Sequence, residues 1–127
     1  MDSYPHEDLE THPTAMVLVV DDEPAIREVI ATLSEDEGYL VRHAKDGLEA
    51  LDAISGDQID LIVSDVVMPR LDGASLVRKL RRRGHLMPVV LMSADYADVD
   101  LPSVRFVPKP FEIDRLLGTV ASALGSV

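Results

Sequence analysis

Five side chains that could take part in polar chemistry each follow a short apolar run of the sequence. Asp21 and Asp22 follow one run, and Asp65, Ser93 and Lys109 follow three others. Three carboxylates that meet at the ends of neighbouring strands would repel one another, and a hard divalent cation such as Mg²⁺ would relieve the repulsion. A carboxylate beside a cation, a lysine and a hydroxyl can take up a phosphoryl group as an aspartyl phosphate. The sequence therefore predicts that Asp65 is a phosphoryl acceptor.

The apolar runs that precede these side chains are typical of buried strands, because they are short and rich in valine, isoleucine and leucine. Strands are predicted at residues 16–20, 39–43, 59–64, 88–92 and 104–107, the second being the most polar and therefore nearest a sheet edge. Helices are predicted from Pro24 to before Gly38, around 48–54 and 76–80, and over 113–124. This alternation predicts an α/β domain with a single doubly wound parallel sheet, whose strand ends gather the polar side chains at one edge.

Composition limits the kinds of function that the chain can have. Its 127 residues suit one domain, and its formal net charge of −11 argues against direct binding of nucleic acid. The sequence has no cysteine and no apolar run of the roughly 20 residues that a membrane span needs, so we expect a cytoplasmic protein without membrane insertion. Residues 1–15 are acidic and lack periodicity, which predicts a flexible N-terminal tail before a domain at 16–127.

Four segments of the chain resemble the motifs of the receiver domain of two-component response regulators. In order, they read VLVVDDEP at 17–24, DLIVSDVVMPRLDG at 60–73, LMSA at 91–94 and VPKPF at 107–111. Four motifs in order are far more specific than a single match. The resemblance spans residues 16–124 and implies a flavodoxin-like fold with five parallel strands in the order 2-1-3-4-5.

The resemblance also implies a role for each acidic residue of the site. Asp65 would accept the phosphoryl group. Asp22 and Asp65 would bind Mg²⁺ directly, with Mn²⁺ as a possible substitute, and the backbone carbonyl of Val67 would complete the protein ligands. Asp21 would act through a water molecule bound to the metal.

The resemblance also implies which residues would bind the phosphoryl group and which would take part in a conformational switch. Lys109 and the Ser93 hydroxyl would contact phosphoryl oxygens, and Phe106 would turn inward as Ser93 moves. The bond between Lys109 and Pro110 would be cis. The implied phosphoryl donor is a histidine kinase or a histidine phosphotransfer protein, and the downstream protein partner is unknown.

One segment departs from the family pattern. The interval from Ser93 to Lys109 is shorter than in most receivers, which predicts that the helix between the fourth and fifth strands (helix 4 of the family) is shortened or absent. That helix usually forms part of the output surface. Short versions of the segment resemble receivers of hybrid histidine kinases and some single-domain regulators.

Two other functions fit the same fold. A magnesium-dependent phosphohydrolase would use the same aspartyl phosphate, but such enzymes typically have a second acid two residues after the nucleophile, where this chain has Val67. A non-phosphorylated interaction module would not need the full set of polar residues. The sequence therefore favours a phospho-accepting signalling module over either alternative.

Overall fold

The computed structural model describes residues 14–94 and 101–125, which form a five-stranded sheet and four helices. The strands are β1 Met16–Val20, β2 Leu40–Ala44, β3 Leu61–Asp65, β4 Val89–Ser93 and β5 Val104–Pro108. The helices are α1 Pro24–Asp36, α2 Gly47–Gly56, α3 Gly73–Arg82 and α4 Ile113–Gly125. None of the helices among the described residues is long and apolar enough to cross a membrane.

All strand pairs are parallel, and the strand order is β2-β1-β3-β4-β5. The predicted fold class and strand order are therefore confirmed. The interior strands β3 and β4 are almost wholly buried, as continuous apolar runs should be when helices cover both faces. In β2, Leu40, Arg42 and His43 are exposed, which agrees with its predicted place at an edge.

Each face of the sheet carries its own apolar core, because successive side chains of a strand point to opposite faces. In β1, Leu18 and Val20 pack with residues of α2 and α3, whereas Val17 and Val19 pack with residues of α1 and α4. Two helices thus cover each face of the sheet, and the polar residues are left at the ends of the strands.

Two sequence predictions fall mainly on residues that the structure does not describe. The shortened helix after β4 is predicted within 95–103, of which 95–100 lie outside the described ranges. Pro102 and Ser103 form a turn. Of the predicted tail, only Thr14 and Ala15 are described, and the Ala15 carbonyl accepts a hydrogen bond from the Leu40 N–H at 2.9 Å. The division into a tail at 1–15 and a domain at 16–127 stays a prediction.

Position 73 requires glycine because the backbone of Asp65 lies very close to it. We therefore expect a substitution of Gly73 to lower the stability of the protein. A Cβ at this position would lie 2.5 Å from the carbonyl oxygen of Asp65. Gly73→Ala should therefore lower the free energy of unfolding by about 1–3 kcal/mol, because the β3–α3 loop must move to make room. Urea denaturation would measure the change.

Gly118 provides the matched control for this substitution. It lies within α4, and a Cβ there would meet no heavy atom within 4 Å. Gly118→Ala should raise the free energy of unfolding by about 0.4–1 kcal/mol, since alanine restricts the unfolded chain. Equal effects of the two substitutions would contradict the role assigned to the space around Gly73.

Candidate functional site

The predicted site residues lie at the carboxyl edge of the sheet, where parallel strands deliver their last side chains. Asp21 and Asp22 directly follow β1, Asp65 and Ser93 end β3 and β4, and Lys109 directly follows β5. One carboxylate oxygen from each of the three aspartates lies within 4.8 Å of the others. The structure therefore brings together acidic residues that lie at two separate points of the sequence.

Lys109 binds Asp65 directly. Its Nζ donates to Asp65 Oδ2 at 3.0 Å, and both side chains are largely shielded from solvent. Burial lowers the pKa of Lys109, but the hydrogen bond and the negative charge of Asp65 outweigh burial, so the pKa lies above its ordinary value. At neutral pH the site therefore holds an ammonium group against the carboxylate of Asp65.

Asp21 is the most unusual carboxylate of the site because it is fully buried with one oxygen unpaired. Oδ1 accepts a hydrogen bond from the Glu23 N–H at 2.9 Å, whereas Oδ2 has no hydrogen-bond partner among the described residues. Burial raises the pKa of Asp21, the Glu23 N–H opposes the increase, and the charge of Asp65 adds to it. An ionised, buried and unpaired oxygen is costly, so this position calls for a compensating positive charge or a bound water.

These observations fit the cation that the sequence predicted. Asp22 is exposed, Asp65 is nearly buried and Asp21 is buried, so the group runs from the surface into the protein. A small hard cation that retains bound water suits such a set of few carboxylate oxygens. The unpaired oxygen of Asp21 could then accept a hydrogen bond from a metal-bound water.

Ser93 and Lys109 are held at neighbouring strand ends by the backbone. The Lys109 N–H donates to the Ser93 carbonyl at 2.8 Å. The register of β3 and β4 pairs Asp65 with Met92, which places Ser93 one residue beyond Asp65 along the sheet. The bond between Lys109 and Pro110 is cis, as the resemblance implied.

The other two predicted positions lie beside these residues. Phe106 is half-buried in β5, where it packs against the core on the side of α2 and α3. Val67 is 75% exposed, and its backbone N–H points towards Asp65 Oδ1 at 3.4 Å. No carboxylate therefore occupies the position two residues after Asp65, where the hydrolase alternative needs an acid.

The structure adds three residues that sequence reasoning did not single out. Arg27 donates from Nη1 to the Asp21 carbonyl at 2.7 Å, and Arg70 forms an ion pair with the buried carboxylate of Asp46. Asp46 could have been predicted from the sequence, since an aspartate followed three residues later by glutamate is typical of a helix N-terminus. The roles of the two arginines could not have been predicted, because each partner lies at a spacing that no local motif specifies.

The arrangement gathers three carboxylates that could hold a divalent cation and places an ammonium group next to one of them. A site that accepts a phosphoryl group on a carboxylate would use such features. Comparison with known proteins agrees with this chemistry. Residues 17–121 match the family model described as the response regulator receiver domain.

Among curated relatives, the response regulator MprA of Mycobacterium avium is 40% identical over 114 residues, covering 85% of this chain and 50% of MprA. The chain thus spans about half the length of the curated relatives it matches. Among solved structures, the chemotaxis response regulator CheY4 of Vibrio cholerae has a TM-score of 0.79 and 30% identity, covering 87% of this chain and 99% of CheY4. The receiver domain of the hybrid histidine kinase CckA has a TM-score of 0.74 and 38% identity, with the same coverage. The matched motifs, the strand order and the group of carboxylates at the strand ends agree with one another. The chain therefore belongs to the response regulator receiver domain family.

Proposed function

We propose that Asp65 accepts a phosphoryl group from a phosphohistidine of a histidine kinase or a histidine phosphotransfer protein, in a reaction that depends on Mg²⁺. The observation that carries the proposal is the Lys109–Asp65 ion pair beside the unpaired oxygen of Asp21. Phosphorylation then changes the surface that a downstream protein binds. The proposal includes a cytoplasmic location, because histidine kinases form their phosphohistidine from ATP.

In the proposed transfer, a carboxylate oxygen of Asp65 forms a bond to phosphorus as the bond between phosphorus and the imidazole nitrogen breaks. The nitrogen keeps the electron pair and takes a proton from solvent. Lys109 is already within 3.0 Å of the carboxylate, so its ammonium group can bind a phosphoryl oxygen without leaving the site. The Ser93 hydroxyl would bind another phosphoryl oxygen.

Asp22, Asp65 and the backbone carbonyl of Val67 would hold the cation directly, and Asp21 would hold it through water. Once bound, Mg²⁺ would neutralise negative charge on the carboxylates and on the incoming phosphoryl oxygens. Movement of Ser93 towards the phosphoryl group would leave space near the end of β4, and Phe106 on the neighbouring strand would turn into it. This pair of movements would carry the change from the site to the surface of β5.

The deciding experiment is incubation of the protein with Mg²⁺ and a small acyl phosphate, followed by intact-mass and peptide mass spectrometry. We expect one phosphoryl group on Asp65, sensitive to hydroxylamine, and none on Asp65→Asn. Asp52→Asn is the matched control, because Asp52 is an exposed carboxylate on α2. An adduct that survives in Asp65→Asn would contradict the proposal, as would no adduct on the wild-type protein.

The same material tests the phosphohydrolase alternative. Val67 supplies no acid to activate a leaving group or water, so we expect no sustained turnover of phosphomonoesters. Release of many equivalents of phosphate, dependent on Asp65, would instead identify an enzyme.

A further inference from the structure

Arg70 lies in the β3–α3 loop and binds a carboxylate that is buried at the start of α2. Its Nη2 pairs with Oδ2 of Asp46, whose side chain is only 2% exposed. Oδ1 of Asp46 accepts a hydrogen bond from the Glu49 N–H at 2.9 Å and so caps the helix. That N–H, and then Arg70, hold the pKa of Asp46 below its usual range, although burial opposes them. The pair therefore carries full charge at neutral pH.

The backbone of the loop is strained at the same residue. Arg70 has a φ of 69°, which places a residue with a side chain in the left-handed region, and the Leu71 N–H donates to the Pro69 carbonyl at 2.8 Å. A tight three-residue turn with this φ is unfavourable unless surrounding contacts hold it. The ion pair with Asp46 is such a contact, because it fixes the side chain of the strained residue.

A second contact presses the loop against the same helix. A Cβ on Gly47 would lie 2.7 Å from the carbonyl oxygen of Leu71, so this part of the loop packs directly on the first residue of α2. Arg70 and Leu71 thus hold the loop at two adjacent points. Both points lie on the two residues, Asp46 and Gly47, where the helix begins.

The ion pair of Arg70 with Asp46 and the contact of Leu71 with Gly47, together called the clamp below, lie between the segment that carries Asp65 and the segment bonded to Asp21. On one side, the loop runs back from Arg70 through Val67 to Asp65. On the other side, Asp46 lies two residues after Ala44, whose carbonyl accepts a hydrogen bond from the Asp21 N–H at 3.1 Å. The β3–α3 loop that carries Val67 and the segment bonded to the Asp21 backbone therefore both contact the start of α2.

We infer that Arg70 is a positioning residue for the acidic site, and that its ion pair with Asp46 holds the β3–α3 loop in the conformation that lets the Val67 carbonyl bind the cation. The inference rests on the proposed function, in which that carbonyl is a ligand. It assigns Arg70 no contact with the cation or the phosphoryl group. Its effect is transmitted through the backbone of the loop.

The sign of the effect separates positioning from simple electrostatics. Loss of a positive charge near a cation site should tighten cation binding if charge alone matters. Loss of the clamp should instead weaken binding, because one ligand is no longer held in place. For Arg70→Ala we expect Mg²⁺ binding to weaken about tenfold, the lower end of the effect of residues that orient metal ligands.

Two further substitutions of Arg70, to lysine and to glycine, test whether the effect is transmitted through the backbone. Arg70→Lys keeps the charge and should stay near wild type. Arg70→Gly removes the ion pair but adopts a positive φ without strain, so its Mg²⁺ affinity should fall between those of the alanine variant and the wild type. Arg42→Ala is the matched control, since Arg42 pairs with Asp57 in an exposed ion pair away from the loop.

Two measurements on the unphosphorylated protein decide the outcome: the Mg²⁺ dissociation constant from a titration followed by NMR, and amide hydrogen exchange at Leu71 and Gly73 without metal. We expect faster exchange and weaker binding in Arg70→Ala alone among the alanine variants. Unchanged or tighter Mg²⁺ binding in Arg70→Ala would overturn the inference, as would an equal loss in Arg42→Ala. Neither readout involves phosphate, so an Asp65 that fails to accept a phosphoryl group would overturn the proposed function and not the role of Arg70.

Discussion

Replacing Asp21 with asparagine should stabilise the metal-free protein and at the same time weaken Mg²⁺ binding by about tenfold to a hundredfold. The stability gain follows from the unpaired Oδ2 of a fully buried carboxylate, which costs free energy in the folded state. The amide of asparagine carries no charge, and its NH₂ group can donate to the nearby carboxylate of Asp65. We expect the free energy of unfolding to rise by about 1 kcal/mol, or about 4 °C in melting temperature.

The pH dependence of stability gives this prediction a second signature. Folding raises the pKa of Asp21 above its ordinary value of 3.8, so in the interval between 3.8 and the raised pKa the folded protein binds a proton that the unfolded chain does not. The contribution of this group to stability therefore decreases as pH rises through that interval and increases as pH falls. The difference between wild type and Asp21→Asn should shrink as the pH is lowered through the same interval.

Asp22→Asn separates the two effects. Asp22 belongs to the same group of carboxylates but is exposed, so its loss should weaken Mg²⁺ binding with little change in the stability of the metal-free protein. Thermal unfolding with and without Mg²⁺ measures both quantities for each variant. If Asp21→Asn were less stable than wild type without metal, the burial of an unpaired charge at Asp21 would not be the cost that we assign to it.

Asp21 and Asp22 also show which features of the site could be predicted from the sequence and which could not. Both residues follow the valines of β1, and the pattern of strands and helices correctly placed them at the edge of the sheet with Asp65. Apolar periodicity determines which face a side chain takes, and parallel connections determine which strand ends meet. These two rules were sufficient for the fold class and for placing the polar residues at one end of the sheet. The strand order, which makes β1 and β3 neighbours and so brings the three carboxylates together, came from the family resemblance.

The difference in burial between Asp21 and Asp22 could not be predicted in the same way. It depends on contacts made by residues distant in sequence, such as the Asp21 N–H with the Ala44 carbonyl. The clamp at Arg70 was missed for the same reason, because its partner Asp46 is 24 residues away and nothing local relates the two. Helical and strand patterns report burial along one element, whereas loop contacts between elements arise only once the sheet has formed.

Replacing Lys109 with methionine should slow phosphoryl uptake by about a hundredfold to a thousandfold, as loss of a donor that stabilises transition-state charge typically does. The ammonium group of Lys109 lies 3.0 Å from Asp65 Oδ2 and, on the proposed mechanism, binds a phosphoryl oxygen during transfer. Methionine is of similar length but carries no charge. The rate of acyl-phosphate-dependent labelling, followed by intact mass, measures the loss.

Mg²⁺ binding should change in the opposite direction in the same variant. On the proposed mechanism the ammonium group and the cation would share the carboxylate of Asp65, so removal of Lys109 would leave more negative charge for Mg²⁺ and should tighten its binding. A variant that merely unfolds would lose both properties. Tighter metal binding with slower phosphoryl uptake therefore distinguishes a chemical role of Lys109 from general damage to the fold.

The raised pKa of Lys109 sets the pH range of this effect. The group remains protonated up to and beyond its ordinary pKa of 10.5, so the rate advantage of wild type over Lys109→Met should persist from neutral pH to that value. Lys45→Met is the matched control, because Lys45 pairs with Glu49 on the exposed surface. Phosphoryl uptake in Lys109→Met at the rate of the Lys45 variant would contradict the mechanism. The bond between Lys109 and Asp65 would then serve only to keep a buried carboxylate paired until a cation arrives.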